Sequence, residues 1–215
     1  MGMAIMRKLS AEGYRVFALD RRDFETPENA KKIICDLRDE GSVTEASSQV
    51  RAECDGLYAI IHTAGIYDLD SLVEMSEERF LRIFDINLFG LYRVNKAFLP
   101  LLSEGSKIII TSSELAPLDP LPFTGVYAIT KAAVEKYAYS LRMEMNLLGI
   151  SVSVIRPGAT KTPLLGDSTS ALDRFVEDTK IYKTNSKRFK RIVEGVEAKN
   201  VSPEKIGELA YRIIR

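Results

Sequence analysis

The sequence is poor in the residues that staple small folds or gather metals. Of its 215 residues only two are cysteine, Cys35 and Cys54, and one is histidine, His62. Two cysteines do not build a disulfide scaffold, and Cys35 lies in an apolar run that reads as buried. A lone histidine supports neither a histidine-based triad nor a histidine-rich metal site, so no metal is expected. An excess of one charge is missing as well. Thirty Lys plus Arg stand against 30 Asp plus Glu, a net charge of zero, which argues against general affinity for nucleic acid or anionic membrane. No run approaches the roughly 20 apolar residues that span a bilayer. The opening MGMAIMRKLSAEG has no apolar core and turns charged after Met6, unlike a secretory signal. The expectation is a cytoplasmic protein without a transmembrane segment. With 46% apolar residues the chain is not a disordered polar one, and its length is room for one domain with its own core.

What is present is an alternation of short apolar runs with longer helical ones. Arg15–Leu19, Lys32–Cys35, Leu57–Ile61, Lys107–Thr111 and Ser151–Ile155 read as strands buried on both faces. Met3–Glu12 reads as a helix stopped by Gly13. Ser42 and Glu45 have capping-box spacing for a helix running to about Cys54. Ser76, followed by Glu77 and Glu78, starts another that continues through Asn87 to Leu102. Gly125–Leu148 is helical, and Ser202-Pro203-Glu204 starts a last helix. The sum predicts a doubly wound α/β fold, a parallel sheet with helices on both faces, forming one domain over residues 1–215. The stretch from Pro157 to about Ser170 reads as irregular. As part of a segment over about 157–180, it is a natural substrate loop at a strand's carboxyl end. The basic cluster Lys180–Arg191 has acidic neighbours and reads as a solvated helix face.

The candidate chemistry starts at Tyr127-Ala-Ile-Thr-Lys131. Tyrosine and lysine four apart share a helix face, and a nearby ammonium lowers a phenol's pKa, which suits an acid/base group. The spacing alone is common on exposed helices. Upstream, however, a strand ends in Ser112 and Ser113, whose hydroxyls can reach a substrate oxygen held by the tyrosine. After Ile61 come His62-Thr63-Ala64-Gly65, small enough to admit a ligand to the backbone. Asn87 sits in an apolar helical run and must find partners; holding a water or a carbonyl is one solution, a satisfied structural amide another. Asp20 closes a strand, where a carboxylate accepts both ribose hydroxyls and repels a ribose phosphate. Arg21 and Arg22 cut the other way.

Taken in order, these residues resemble the short-chain dehydrogenase/reductase family, single-domain type, over nearly the whole chain. Gly2-Met3-Ala4-Ile5 resembles the last glycine of the TGxxxGxG dinucleotide turn and the helix behind it. Asp20 matches the acidic residue that selects NAD over NADP, with Arg21 beside it. Asp36-Leu37 resembles the pair that holds adenine. Thr63, Ala64 and Gly65 stand in the Asn-Asn-Ala-Gly segment, with His62 replacing its first asparagine. Asn87, Ser113, Tyr127 and Lys131 match the active-site set. Pro157, Gly158, Thr160 and Thr162 resemble the segment that meets the nicotinamide. The resemblance implies an NAD(P)-dependent oxidoreductase, NAD favoured, moving a hydride between cofactor and an alcohol or ketone. Tyr127 would transfer the proton and Ser113 would polarise the substrate oxygen. Lys131 would lower the tyrosine pKa and hold the nicotinamide ribose. Asn87 would hold a water linking Lys131 to solvent.

Departures from the family pattern carry their own expectations. Ser113 precedes Tyr127 by fourteen positions where thirteen is usual. A first strand and glycine-rich turn would precede Gly2, and a final strand would follow Arg215, so the chain reads as truncated at the N-terminus and at the C-terminus. Exposed strand edges should result. The stretch PLDPLPFTGVY resembles retinol- and hydroxysteroid-like members and points to a hydrophobic substrate. Leu164, Leu165, Ala171, Leu172 and Phe175 are either an apolar wall for it or ordinary packing residues. Family members pair their long helices into homodimers or homotetramers, here near Phe84–Leu102 and Thr130–Leu148. The competing readings are a non-catalytic nucleotide-binding member of the fold, an inactive fragment, and another Rossmann-like enzyme such as a methyltransferase.

Overall fold

The structure, a computed structural model, describes residues 1–195 and 200–215, the side chain at position 167 aside. Five short apolar runs form parallel strands: β1 (Val16–Asp20), β2 (Ala30–Ile34), β3 (Ala59–His62), β4 (Lys107–Thr111) and β5 (Ser151–Ile155). Between them lie α1 (Gly2–Ala11), α2 (Glu40–Arg51), α3 (Glu77–Phe84), a π turn (Asp85–Phe89), α4 (Gly90–Phe98) and α5 (Gly125–Asn146). After β5 come α6 (Pro163–Asp178), α7 (Lys183–Gly195) and α8 (Pro203–Ile214). This is the expected Rossmann-like α/β architecture.

Hydrogen bonding divides the strands into two sheets. β1 pairs with β2 in parallel, Asp20 opposite Ile34. β4 pairs in parallel with β3 on one side and β5 on the other. Among the described residues β1 and β3 are not paired to each other, so each keeps one unpaired edge. Two apolar layers span the break. On one face Phe17, Leu19 and Ile33 pack with Ile60 against α2 and α4. On the other Val16 and Ala59 pack with Ile109 and Ile155 against α1 and α8. All five strands run the same way, so their carboxyl ends share one rim.

Local chemistry explains most boundaries, with two corrections. Gly13 ends the α1 segment at φ 87°, a conformation that favours glycine. Ser76 caps α3 by accepting from the Arg79 N–H, and Ser202 caps α8 by accepting from the Glu204 N–H. Ser42 does not cap α2. Asp39 does, accepting from the Gly41 N–H at 2.8 Å; Ser42 lies in the first turn, and its hydroxyl accepts from the Asp36 N–H at 3.0 Å. The irregular stretch ends at Thr162, because Pro163 takes the first helical position of α6. Asp20 closes β1, as expected.

Helix α8 lies directly on α1. A Cβ built on Gly207 would stand 2.9 Å from the Ala4 carbonyl oxygen and 3.2 Å from its carbon. Backbone cannot swing aside as a side chain can. Gly207→Ala is therefore expected to pry α8 from α1 and cost about 1–3 kcal/mol. Urea melts of the two proteins would measure it.

Candidate active site

β4 is the most deeply buried strand, with Ile108, Ile109 and Ile110 at 1% exposure or less. Its ladder with β5 runs one residue past the strand, the Ser112 N–H donating to the Ile155 carbonyl at 2.8 Å. That extension delivers Ser113 to the rim, where its hydroxyl accepts from the Leu115 N–H at 3.2 Å. The first two turns of α5 bring Tyr127 and Lys131 to the same place, both buried. Lys131 Nζ donates to the Thr111 carbonyl at 3.3 Å and lies 5.7 Å from the Tyr127 ring centre. Burial lowers the Lys131 ammonium to about 8. Burial also pushes the Tyr127 phenol above its usual range, while the neighbouring Ser113 hydroxyl opposes the rise. The expected lowering of Tyr127 by Lys131 is therefore corrected: burial raises the phenol, and the opposing influence comes from Ser113.

Asn87 sits in the π turn and is buried. Its Oδ1 accepts from the Ile66 N–H at 2.8 Å, while Nδ2 donates to the Ile66 carbonyl at 3.0 Å and to the Thr130 hydroxyl at 3.1 Å. Thr130 in turn donates to the Tyr127 carbonyl at 2.8 Å. Asn87 thus braces the 62–66 segment against α5. A Cβ on Gly65 would lie 3.3 Å from Asn87 Oδ1 and 3.6 Å from Lys131 Nζ, so a side chain there would fill this cradle and crowd Asn87. Beneath it is a cavity of about 10 Å³ bordered by Leu37, His62, Ala64, Asn87 and Thr111, room for one water. The Thr111 hydroxyl is buried with no partner among the described residues. His62 bonds Asn95 at 2.8 Å, and burial lowers its pKa to about 4. It is neutral at physiological pH and structural.

The remaining candidate residues spread along the rim. A Cβ on Gly2 would approach Thr63 Oγ1 to 2.8 Å, so the start of α1 meets the end of β3. Asp20, half-exposed, accepts from the Arg22 N–H at 3.0 Å. Asp36 is held by Arg38, whose N–H and guanidinium bond its carboxylate and lower it to about 2, with Arg21 also contributing. Its side chain is engaged by Arg38 rather than free at the rim. The Leu37 carbonyl accepts from Arg93 at 3.0 Å. Past β5, the Pro157 carbonyl accepts from the Glu114 N–H at 3.1 Å, and the Glu114 carboxylate lies against Gly158. Thr160 donates to the Gly158 carbonyl at 2.9 Å, and Thr162 to the Thr160 carbonyl at 3.3 Å. These residues fit a nicotinamide dinucleotide at two points: the Gly65 cradle, and a buried ammonium with a single protein acceptor among the described residues.

Sequence reasoning missed Tyr67, whose ring centre lies 4.8 Å from that of Tyr127. It follows the His-Thr-Ala-Gly turn by two positions, which was its only signal. It also missed Thr130, fully buried inside the Tyr-x-x-x-Lys spacer. Ala171, Leu172 and Phe175 are packing residues, buried against Leu69 and Phe189; Leu164 and Leu165 are half-buried. No group of residues able to hold a metal occurs among those described, and none of the described helices is long and apolar enough to cross a membrane.

A nucleotide-binding α/β domain with a serine, a tyrosine and a lysine converging at its strand ends is the class this geometry defines. Residues 1–173 match the short chain dehydrogenase family, and the chain belongs to it. It is 29% identical to an NADPH-dependent 1-acyldihydroxyacetone phosphate reductase of Schizosaccharomyces pombe, over 98% of this chain and 73% of that protein. It is 30% identical to mouse estradiol 17-beta-dehydrogenase 2, over 82% of this chain and 51% of the relative. A Brucella melitensis 3-ketoacyl-(acyl-carrier-protein) reductase complexed with NADH superposes with a TM-score of 0.80 at 20% identity, covering 100% and 86% of the two chains. The protein is thus an NAD(P)-dependent oxidoreductase of alcohols and ketones.

Burying the Lys131 charge costs the folded state stability. A lysine whose folded pKa falls from 10.5 to about 8 holds fewer protons than the unfolded chain between those values. Stability from this group is lowest below pH 8 and recovers as pH rises to 10.5. Lys131→Met keeps the apolar stem and removes the charge. It is expected to gain about 2 kcal/mol at pH 7, the charge cost of about 3 less about 1 for an unpartnered Thr111 carbonyl. The gain should shrink between pH 8 and 10, which denaturant melts across that range would test.

Proposed function

We propose that this chain interconverts a hydrophobic secondary alcohol and its ketone, with NAD preferred to NADP. Tyr127 acts as the proton donor to the carbonyl oxygen, or acceptor from the alcohol. Ser113 orients and polarises the same oxygen. Lys131 holds ribose hydroxyls, and its ammonium one turn along α5 favours the Tyr127 phenolate as the proton leaves. Asn87 keeps the Gly65 turn fixed against α5, and the one-water cavity below offers a route for protons towards Lys131. When bound, the nicotinamide supplies the hydride acceptor or donor. Gly2, Thr63, Ala64, Gly65 and Leu37 would hold the dinucleotide along the rim. Asp20 and Arg21 would meet the adenosine ribose, and Pro157, Gly158, Thr160 and Thr162 the nicotinamide end. The observation that carries this reading is the burial of Tyr127 and Lys131 on one face of α5, beside Ser113. A non-catalytic scaffold gains nothing from burying an ammonium there.

The preference for NAD rests on Asp20. Its carboxylate closes β1, half-exposed on the rim, where a ribose 2′-phosphate would meet repulsion. The hydrophobic substrate rests on the likeness of PLDPLPFTGVY to retinol- and hydroxysteroid-like members and on relatives that act on estradiol and retinol by their names. We also propose that a second copy covers α4 and α5, since Phe89 at the end of the π turn, Tyr92 of α4, and Tyr139 and Met143 of α5 are 47–60% exposed.

Two substitutions test the reading, with retinol and estradiol as probe alcohols. Tyr127→Phe should lower kcat by about 10²- to 10⁴-fold, the worth of a positioned acid/base, while NADH binding followed by fluorescence stays unchanged. Turnover at the wild-type rate would refute the mechanism. Asp20→Ala should shift the NADH-over-NADPH binding ratio by about tenfold towards NADPH as ribose bonds and phosphate repulsion are lost. An unmoved ratio would remove Asp20 from cofactor selection.

A further inference from the structure

Phe123 is the one non-glycine residue with positive φ among those described, at 68°. An aromatic side chain in the left-handed region costs about 1–2 kcal/mol and persists only where its surroundings fix it. Three elements fix this one. Its ring lies 4.5 Å from Phe175 of α6, 5.3 Å from Tyr182 and 5.5 Å from Phe189 of α7, centre to centre. Its carbonyl accepts from the Asp70 N–H at 3.0 Å. Its chain leads through Thr124 straight into α5, four residues before Tyr127.

The 66–75 segment grips the same three elements. Asp68 bonds Arg174 of α6 at 2.5 Å. The Glu74 carboxylate accepts from the Thr179 hydroxyl at 2.6 Å and from the Lys180 and Ile181 N–H groups, just ahead of α7. Leu72 packs on Gly125 so closely that a Cβ there would lie 3.1 Å from it. Arg79 ties Asp68 and Asp70 together. The α6–α7 unit and the first turn of α5 are thus parts of one clamp; Phe123 belongs to both, ring in the unit and main chain in the helix entry, while Tyr67 touches both from the 66–75 segment.

We propose that Phe123 is a positioning residue that couples the seating of α6–α7 to the placement of Tyr127. The proposal rests on the reading of Tyr127 as the proton-transfer residue, but the coupling itself is a property of the fold. Removing the ring frees the strained main chain to relax, and the start of α5 shifts with it. A displacement of the order of 1 Å at Tyr127 is enough to cost about 10²-fold in rate.

Hydrogen exchange on the whole chain tests the coupling without turnover. Phe123→Ala should speed exchange about tenfold or more, through local opening, in both the 165–195 and the 125–129 amides. The β4 amides should keep wild-type protection. Tyr182→Ala disturbs only the pocket on the α6–α7 side and should also speed exchange at 125–129. If Phe123→Ala unfolds the chain, Tyr182→Ala decides alone. A loosened 165–195 with unchanged 125–129 in Tyr182→Ala overturns the proposal.

Turnover of retinol or estradiol then separates ring from backbone. Phe123→Tyr should keep kcat. Phe123→Gly, which relieves the strained φ but has no ring, should lower kcat as Phe123→Ala does, with KM changed less. Wild-type kcat in Phe123→Gly would mean that the backbone alone matters and would overturn the coupling. A wild-type chain that turns over neither probe, with the exchange pattern as expected, counts against the substrate reading and leaves the coupling standing.

Discussion

The Lys131 ammonium is buried against the Thr111 carbonyl, and much of the site follows from that one contact. A charge taken from water needs partners. The nearest ones lie where β4 ends, because a strand's last carbonyls have no further ladder. α5 must therefore cross β4 at its carboxyl end. Tyr127, one turn earlier on the same face, is carried to Ser113 by the same constraint. Glycine at position 65 leaves space that a side chain would take up against Asn87 and the ammonium. Asn87 then closes the arrangement, bonding the Ile66 main chain on one side and Thr130 of α5 on the other. The polar groups of the site are mutually braced, and the remaining ammonium donors face the cradle.

The sheet beneath the site is unusual in its division. β3, β4 and β5 form a continuous support for the Ser-Tyr-Lys cluster, and β1 with β2 carries Asp20 and leads to Asp36. The two groups are joined by side-chain packing through α1, α2, α4 and α8 rather than by backbone hydrogen bonds. Packing is less directional than a ladder. The half of the rim that holds Ser113, Tyr127 and Lys131 is thus more rigidly built than the half that holds Asp20 and Asp36. The unpaired edges of β1 and β3 are only half-buried along most of their length, a feature that many folds avoid by covering or charging such strands.

The fold was legible because its signals are local. Five short apolar runs separated by amphipathic stretches leave little choice but parallel strands and crossover helices, and β4 and β5 have the boundaries their residues announce. Tyr127, Lys131, Ser113 and Asn87 were legible as a set through spacing and order. The failures have physical causes. Ser42 lost the cap to Asp39 because its hydroxyl is taken by the Asp36 N–H. The Pro157–Ser170 composition looked irregular because Pro163 marks the start of a helix as well as a turn. The Tyr127 pKa was misjudged because sequence shows the neighbouring charge and hides the depth of burial. Tyr67, Thr130 and Phe123 carry no periodic signal; their importance comes from contacts made by distant segments.

Segment 66–75 shows how such distant contacts are organised. It leaves the Gly65 turn, whose position Asn87 fixes, and within ten residues grips α3 through Arg79, α5 through Leu72 and Phe123, and the α6–α7 unit through Asp68 and Glu74. The ion pairs are partly buried, which strengthens them over exposed ones, and the aromatic cluster around Phe123 adds non-directional packing. Any ligand that presses on the Gly65 cradle therefore pushes on the same segment that holds α6–α7. A molecule seated under α6–α7 pushes back through Phe123 to α5. Binding on either side of the rim is mechanically connected to Tyr127, so the placement of that tyrosine is set by the state of the whole clamp rather than by its own helix alone.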